Sequence, residues 1–128
     1  MEKNATLLAV VDDDEDVRVA LARLVSSAGL AVEAFASGAA FLRSVADHEP
    51  ECVVLDLHMP GMSGFDVQGA LAVAHAGVPV VIITGHDTPE ARTRALQLGA
   101  KAYLCKPVDG EALLSAIGGA IDRAATGH

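Results

Sequence analysis

The sequence predicts an α/β fold in which a five-stranded parallel sheet carries helices on both faces. Short apolar runs typical of strands alternate five times with longer segments whose apolar residues recur at helical spacing. Several of the apolar runs are uninterrupted, as in strands that are buried on both faces of a parallel sheet. Parallel strands need right-handed crossover connections, which the helices provide, so the predicted sheet is doubly wound.

The predicted strands are apolar segments that stop at charged or turn-forming residues. They are residues 7–11, 31–35, 52–56, 78–83 and 100–105. The second of them has the weakest apolar character, whereas the third and fourth contain the longest aliphatic runs. Cys52 and Cys105 both fall within strands and have no paired spacing, so we predict that both are buried, reduced thiols.

Each predicted helix has a start or stop signal in the sequence. The acidic residues 12–16 favour a helix N-terminus after the first strand, and Gly29 ends that helix. Residues 88–90 (Thr-Pro-Glu) open the fourth helix with an N-cap, a proline and an acid, and Gly99 closes it. The other expected N-caps are Ser37 for the second helix, Ser63 for a third helix from Gly64 to about Ala76, and Asp109 for the fifth.

Length and composition predict one soluble domain over residues 1–128, with its core at about 7–123. Hydrophobic residues make up 52% of the chain, yet no apolar run is long enough to cross a membrane. The net charge of −8 argues against direct binding of nucleic acid and suits a protein that binds cations or basic partners. Reduced cysteines indicate a cytoplasmic location.

Polar residues stand at the ends of four predicted strands. They are Asp12 and Asp13, Asp56, Thr84 and Lys106. Because the carboxyl ends of parallel strands lie at one edge of the sheet, these side chains are expected to meet in one pocket. Clustered carboxylates repel one another or bind a cation, and their hard oxygen atoms suit Mg²⁺ or Mn²⁺. A carboxylate, a cation, an ammonium and a hydroxyl together fit phosphoryl transfer, in which an aspartate can accept the group covalently.

Each of these residues also has a purely structural interpretation. The acidic run 12–16 could be only a solvated helix start, and Asp56 could be only a turn cap. Thr84 alone could be a strand-end hydroxyl, and Lys106 alone a surface lysine. The joint pattern, with every residue at a strand end and in this order, is harder to explain by chance.

Four motifs at these strand ends together resemble the receiver domain of bacterial two-component response regulators. They are Val11-Asp12-Asp13, the segment from Leu55 to Gly64, Thr84-Gly85-His86, and Lys106-Pro107. The resemblance extends from about Leu7 to Arg123, and its Thr-Gly-His form is most similar to the nitrogen-fixation class, whose members usually carry a helix-turn-helix output domain. It implies a flavodoxin-like (βα)5 fold with strand order 2-1-3-4-5.

The resemblance also implies a role for each residue of the pocket. Asp56 would accept a phosphoryl group from the phosphohistidine of a histidine kinase. Asp13, Asp56 and the backbone carbonyl of His58 would bind Mg²⁺ directly, and Asp12 would hold waters of the metal. Lys106 would pair with the phosphoryl oxygens, and its bond to the following proline is expected to be cis.

Thr84 and Tyr103 match the switch residues of the family. The resemblance implies that Thr84 bonds the phosphoryl group and moves toward it on activation. Tyr103 would then turn inward. The structural alternative for Tyr103 is a half-buried strand aromatic without a switching role.

Two histidines lie two residues beyond members of the pocket, His58 after Asp56 and His86 after Thr84. In the family, side chains at these positions tune how fast the aspartyl phosphate is hydrolysed. We hypothesise that this bulky, ionisable pair hinders or orients the attacking water. The alternative is a pair of exposed loop histidines without a role. The histidines show no zinc-ligand spacing.

Two alternative functions fit parts of the pattern. A haloacid-dehalogenase-type, Mg²⁺-dependent phosphohydrolase also uses a strand-end Asp, but it needs a second Asp two residues later, where this chain has His58. A flavodoxin-like cofactor binder needs a phosphate-cradling loop after the first strand, where this chain has the acids 12–16. A yellow colour of the purified protein would favour the second alternative.

The face made by helix 4, strand 5 and helix 5, about Thr88 to Arg123, is the family's usual output and dimer surface. The resemblance implies a phosphorylation-dependent homodimer through this face, although a solvated face is the alternative. Its candidate ion-pairing residues are Arg92, Arg94, Lys101 and Asp109. The chain would be a stand-alone regulator or the N-terminal part of a DNA-binding transcription regulator, catalysing only its own phosphoryl transfer and dephosphorylation.

Overall fold

The structure is a computed structural model that describes the backbone of residues 6–126 and the side chains of residues 6–122. Strands and helices alternate along this range, as predicted. The strands are β1 Leu7–Val11, β2 Ala31–Phe35, β3 Cys52–Asp56, β4 Val80–Thr84 and β5 Ala102–Cys105. The helices are α1 Glu15–Ser27, α2 Gly38–Asp47, α3 Gly64–Ala74, α4 Pro89–Gln97 and α5 Gly110–Thr126. In the described part of the chain, none of these helices is long and apolar enough to cross a membrane.

The five strands form one parallel sheet in the order β2-β1-β3-β4-β5, which confirms the fold expected from the sequence. Side chains that alternate along a strand face opposite sides of the sheet. Val53 and Leu55 of β3 therefore join the core under α2, α3 and α4. Cys52 and Val54 join the core under α1 and α5. Helices cover both faces, and this explains why β3 and β4 are buried along their whole length.

The N-caps expected from the sequence are present. Ser63 accepts the Asp66 backbone N–H at 3.2 Å, and the Asp66 carboxylate accepts the Ser63 backbone N–H at 2.9 Å, so α3 begins with a capping box. Asp14 caps α1 within the acidic run. The other capped N–H groups are those of Ala40 by Ser37, Ala91 by Thr88, and Ala112 by Asp109.

Two strands begin later than predicted, and β4 ends at Thr84, one residue beyond the predicted end. β4 begins at Val80 rather than 78, because Pro79 has no N–H to donate, although its carbonyl still accepts the Val53 N–H at 3.0 Å. β5 begins at Ala102 rather than 100, because the Ala100 N–H bonds the carbonyl of Ala95 and completes the end of α4. α3 also ends at Ala74, slightly before the expected position.

The two cysteines have different environments. Cys52 is fully buried in the central strand β3, and burial raises the pKa of its thiol to about 12. Cys105 is exposed, so the prediction that both thiols are buried is wrong. The reason is topological, since Cys105 is the last residue of β5, and β5 is an edge strand with a neighbour on one side only.

Gly64, the first residue of α3, holds that helix close to the end of β3. Its N–H donates to the carbonyl of Leu57 at 2.9 Å. A Cβ atom at this position would lie 2.6 Å from the carbonyl oxygen of Asp56 and 2.8 Å from Cα of Leu57. Only glycine permits this approach, and the backbone that carries Asp56 is thereby packed against a helix N-terminus.

We predict that Gly64→Ala destabilises the protein by about 1–3 kcal/mol, because backbone atoms must move to accept the methyl group. Gly69→Ala is the matched control in the same helix, since a Cβ there meets no described atom within 4 Å. The control should be stabilising by about 0.5–1 kcal/mol. Urea unfolding of both variants checks this, and equal stabilities would refute the close approach at Gly64.

Candidate functional site

A pocket of about 270 Å³ lies at the edge of the sheet where the parallel strands end. It is lined by Asp12, Asp13, Asp14, Asp56, His58, Gly85, His86 and Lys106. The structure therefore brings together the loops that follow β1, β3, β4 and β5. Thr84 and Tyr103 lie outside the lining of this pocket, in the sheet beside it.

Three carboxylates form the acidic side of the pocket. One oxygen from each of Asp12, Asp13 and Asp56 lies within 4.8 Å of the others. Asp12 and Asp56 are buried, whereas Asp13 is exposed. Asp12 is held in place by the Asp14 N–H, which donates to its Oδ1 at 2.9 Å, and by Arg18, whose guanidinium donates to its backbone carbonyl at 3.0 Å.

Lys106 supplies the positive charge of the pocket. Its Nζ lies 2.8 Å from Oδ2 of Asp12 and 3.3 Å from Oδ1 of Asp56. The side chain is directed there by the Lys106 backbone N–H, which donates to the carbonyl of Thr84 at 2.7 Å. The peptide bond to Pro107 is cis, as the resemblance implied. One ammonium thus contacts two buried carboxylates and offsets part of their mutual repulsion.

Burial and the neighbouring charges shift the pKa values of Asp56 and Lys106. Burial raises the pKa of the Asp56 carboxyl, the charge of Asp12 raises it further, and Lys106 acts in the opposite direction without cancelling these effects. Burial acts to lower the pKa of Lys106, but its contacts with Asp12 and Asp56 outweigh burial and raise that pKa. The fold therefore stabilises the charged form of Lys106, whereas the ionised form of Asp56 lowers the free energy of unfolding.

The donor set fits a hard divalent cation. Oδ2 of Asp12 is buried, and although it touches the Lys106 ammonium, no group of the described chain donates a hydrogen bond to it in good geometry. A buried carboxylate oxygen without a hydrogen bond is costly unless a cation satisfies it. Three carboxylates with oxygens this close offer the kind of ligands that Mg²⁺ prefers.

Thr84 is fully buried at the end of β4. Its Oγ1 accepts the backbone N–H of His86 at 3.1 Å. The hydroxyl can still donate its own proton to another acceptor, because a hydroxyl has two lone pairs and one proton. The β4–α4 loop is consequently bonded to the side chain that the resemblance identifies as the switch.

Tyr103 is buried to 6% exposure, so its environment is more enclosed than the half-buried strand aromatic of the structural alternative. The guanidinium of Arg92 lies over its ring at 5.2 Å. Its hydroxyl has no hydrogen-bond partner in good geometry among residues 6–122. Burial raises the pKa of Tyr103, and the nearby Asp87 carboxylate raises it further. Neither Arg92 nor Asp87 could be assigned to Tyr103 from local sequence, because the three come from different elements.

His58 and His86 are exposed at the rim of the pocket. Their ring centroids are 5.7 Å apart, and the planes are nearly perpendicular at 82°. The sequence placed each of them two residues beyond a pocket residue but did not show that they face each other. The two imidazoles stand on loops from adjacent strands, β3 and β4, beside Asp56.

Comparison with known proteins agrees with this geometry. Residues 8–118 match the family model of the response regulator receiver domain. The chain is 39% identical to the response regulator protein TodT of Pseudomonas putida over 121 residues, which are 94% of this chain and 53% of TodT. It is also 39% identical to the transcriptional regulatory protein FixJ of Azorhizobium caulinodans over 116 residues, which are 91% of this chain and 55% of FixJ.

A solved structure shows the same fold. The crystal structure of a response regulator receiver domain protein (CheY-like) from Methanospirillum hungatei JF-1 matches with a TM-score of 0.92 at 23% identity, covering 98% of this chain and 100% of that one. This protein therefore belongs to the response regulator receiver domain family of two-component systems, a family of signalling domains.

These similarities also test two predictions from the sequence, the resemblance to the nitrogen-fixation class and the phosphohydrolase alternative. The likeness to FixJ confirms the resemblance to the nitrogen-fixation class, and nothing supports the phosphohydrolase alternative. The chain spans about half the length of the curated relatives it matches, TodT and FixJ. It is homologous to the N-terminal parts of transcriptional regulators.

The raised pKa of Asp56 leads to a pH-dependent prediction. Folding favours the protonated Asp56 carboxyl over the ionised carboxylate, because the pKa in the folded state is raised above the ordinary value of 3.8. The ionised carboxylate therefore lowers the stability of the fold above the raised pKa, and this loss of stability disappears as the pH falls toward 3.8. Without divalent metal at pH 7, Asp56→Asn should be more stable than the parent by on the order of 1 kcal/mol, while Lys106 keeps Asp12 as its partner.

Urea unfolding at pH 7 and at pH 4 tests this prediction. The difference between Asp56→Asn and the parent should shrink at the lower pH. Asp47→Asn is the control, since Asp47 is exposed at the end of α2 and its replacement should change stability by less than about 0.5 kcal/mol. If the difference in stability between Asp56→Asn and the parent is the same at both pH values, ionisation of Asp56 does not destabilise the fold.

Proposed function

We propose that this domain is a phosphorylation-dependent switch in which Asp56 accepts a phosphoryl group from the phosphohistidine of a histidine kinase. The observation that supports this most directly is the position of Asp56. It stands at the carboxyl end of β3, within 4.8 Å of two other carboxylates and with Lys106 Nζ 3.3 Å from its Oδ1. Phosphoryl transfer needs such a site, because the group in transit carries mostly charge that must be positioned and neutralised.

In this proposal an Oδ atom of Asp56 attacks phosphorus in line with the bond to the imidazole nitrogen, which leaves with the electron pair of the broken P–N bond. Lys106, which already contacts this carboxylate, pairs with a phosphoryl oxygen and keeps Asp12 as a second partner. The Thr84 hydroxyl donates to another phosphoryl oxygen while still accepting the His86 N–H. The domain then catalyses only its own phosphorylation and dephosphorylation and turns over no other substrate.

The proposed metal is Mg²⁺ or Mn²⁺. Asp13, Asp56 and the backbone carbonyl of His58 would be its direct protein ligands, and Asp12 would bind waters of its shell. When bound, the cation would offset negative charge on the phosphoryl group. The grouped oxygens of Asp12, Asp13 and Asp56 and the exposure of Asp13 support this assignment, because carboxylate oxygens suit such a cation and Asp13 is open to solvent.

The switch in this proposal joins Thr84 to Tyr103. Tyr103 is already buried here, so in this proposal phosphorylation stabilises its buried position by drawing Thr84 toward Asp56. The ring packs beneath Arg92 of α4. A shift of the β4–α4 loop would therefore change the surface of α4 directly.

The surface of α4, β5 and α5 is the proposed output and homodimer surface. Arg92 lies over Tyr103, and Arg94 lies over the ring of Phe65 at 4.2 Å, so both guanidiniums have defined positions on α4. DNA binding, in this proposal, belongs to a further domain like those of the transcriptional relatives and not to this acidic domain. A cytoplasmic histidine kinase domain is the proposed partner, and the receiver acts in the cytoplasm.

The proposal predicts a gain of one phosphoryl group in intact mass after incubation with acetyl phosphate and Mg²⁺. The gain should require Mg²⁺, vanish in Asp56→Ala and persist in Asp47→Ala, a matched change at an exposed carboxylate. Sedimentation of the phosphorylated parent should then show a dimer that the unphosphorylated protein lacks. A mass gain that persists in Asp56→Ala would place the acceptor elsewhere and end the proposal.

The paired histidines predict a change in phosphate lifetime. Because His58 and His86 face each other at the pocket rim, His58→Ala and His86→Ala should each alter the dephosphorylation rate several-fold, by freeing or misplacing the attacking water. His48→Ala, whose imidazole pairs with Glu33 on an exposed surface, is the control. If all three variants lose phosphate at the parental rate, the histidine pair has no such role.

A further inference from the structure

Gln68 of α3 is a buried polar side chain that the phosphorylation site does not use. It is 1% exposed, and its Nε2 donates to the backbone carbonyl of Ala95 in α4 at 3.0 Å. Its Oε1 has no hydrogen-bond partner in the part of the chain that the structure describes. A buried acceptor without a partner is unfavourable, so an apolar residue would fill this space at less cost. The hydrogen bond to the Ala95 carbonyl is the one contact that an apolar side chain of the same size could not make.

The Ala95 carbonyl belongs to the structure that ends α4. It also accepts the N–H of Ala100 at 3.0 Å, and the N–H of Gly99 donates to the carbonyl of Leu96 at 3.0 Å. The backbone of Gly99 has a φ of +103°. These two bonds across a left-handed glycine form the closing motif of the helix. Gln68 therefore bonds the C-terminal turn of α4.

A second contact attaches the same half of α4 to α3. The guanidinium of Arg94 lies 4.2 Å from the ring centroid of Phe65. α3 itself is fixed to the end of β3, since the Gly64 N–H donates to the carbonyl of Leu57. The C-terminal half of α4 is in this way tied to the strand that carries Asp56.

The N-terminal half of α4 has different neighbours. Its N-cap Thr88 follows directly on the loop that contains His86 and Asp87. Arg92 of this half contacts Tyr103 of β5. The directed polar and cation–π contacts of α4 thus differ between its halves. Those of the first half go to the β4–α4 loop and β5, and those of the second half go to α3.

We propose that Gln68 is a positioning residue that fixes the C-terminal turn of α4 to α3, so that α4 moves chiefly at its N-terminal half, beside Thr84. This assignment concerns the resting protein and does not depend on phosphorylation. Its consequence for signalling, a helix that pivots about a fixed C-terminal end, rests on the proposed function.

Amide hydrogen exchange followed by NMR on the unphosphorylated chain tests the proposal. In the parent, amides of residues 96–100, which include the end of α4 and its closing motif, should exchange more slowly than those of residues 91–93. Gln68→Met, which keeps the size but removes the donor, should accelerate exchange at 96–100 by about fivefold or more. Val67→Ala is the control, because Val67 is a buried neighbour in α3 that faces Gly38 of α2. Because Val67 shares a core with Ala95 but makes no hydrogen bond to it, Val67→Ala should change exchange at residues 96–100 far less than Gln68→Met does.

A spectroscopic signature separates this role from general packing. The carbonyl carbon resonance of Ala95 should shift upfield in Gln68→Met and stay in place in Val67→Ala. In the parent, one side-chain amide proton of Gln68 should exchange slowly, a measurement that needs no variant. Fast exchange of both protons, or unchanged protection at 96–100 in Gln68→Met, would overturn the proposal. Acetyl phosphate labelling is scored separately, so a failed phosphorylation leaves this result intact.

Discussion

The contact of one ammonium with two buried carboxylates is the constraint on which the rest of the site depends. Asp12 and Asp56 end two adjacent strands and are almost fully buried, so their charges repel in a medium that screens them poorly. Lys106 comes from β5, two strands away from β3, and must cross the end of β4 to reach them. It does so over Gly85, where an added Cβ would already lie 3.8 Å from the lysine Cδ.

Much of the local backbone is arranged to hold these three charges. The Thr84 carbonyl accepts the Lys106 N–H, and this bond sets the direction from which the lysine enters. On the other side of Asp56, Gly64 brings the first turn of α3 against the strand end. Asp12 and Asp56 are therefore buried and held by backbone contacts, whereas the histidines at the pocket rim are exposed. Rigid placement of charged groups is what phosphoryl transfer requires of a protein.

The two halves of α4 make different contacts. Its first half contacts Tyr103 and follows the loop after Thr84, the two residues proposed above as the switch. Its second half is bonded to α3 through Gln68. A helix that is held at one end and contacted at the other converts a small displacement at the pocket into a rotation of its exposed side. This accounts for a buried amide whose acceptor is otherwise unsatisfied.

The sequence by itself determined the elements and the place of the site, because these depend on interactions within a few residues. Apolar runs specify buried strands, Ser63 specifies a helix start, and strand-end carboxylates specify a pocket once the strands are parallel. Only the tertiary structure decided which side chains meet across elements. The exposure of Cys105 and the bond from Gln68 to α4 follow from the edge position of β5 and from helix packing, which no local pattern encodes.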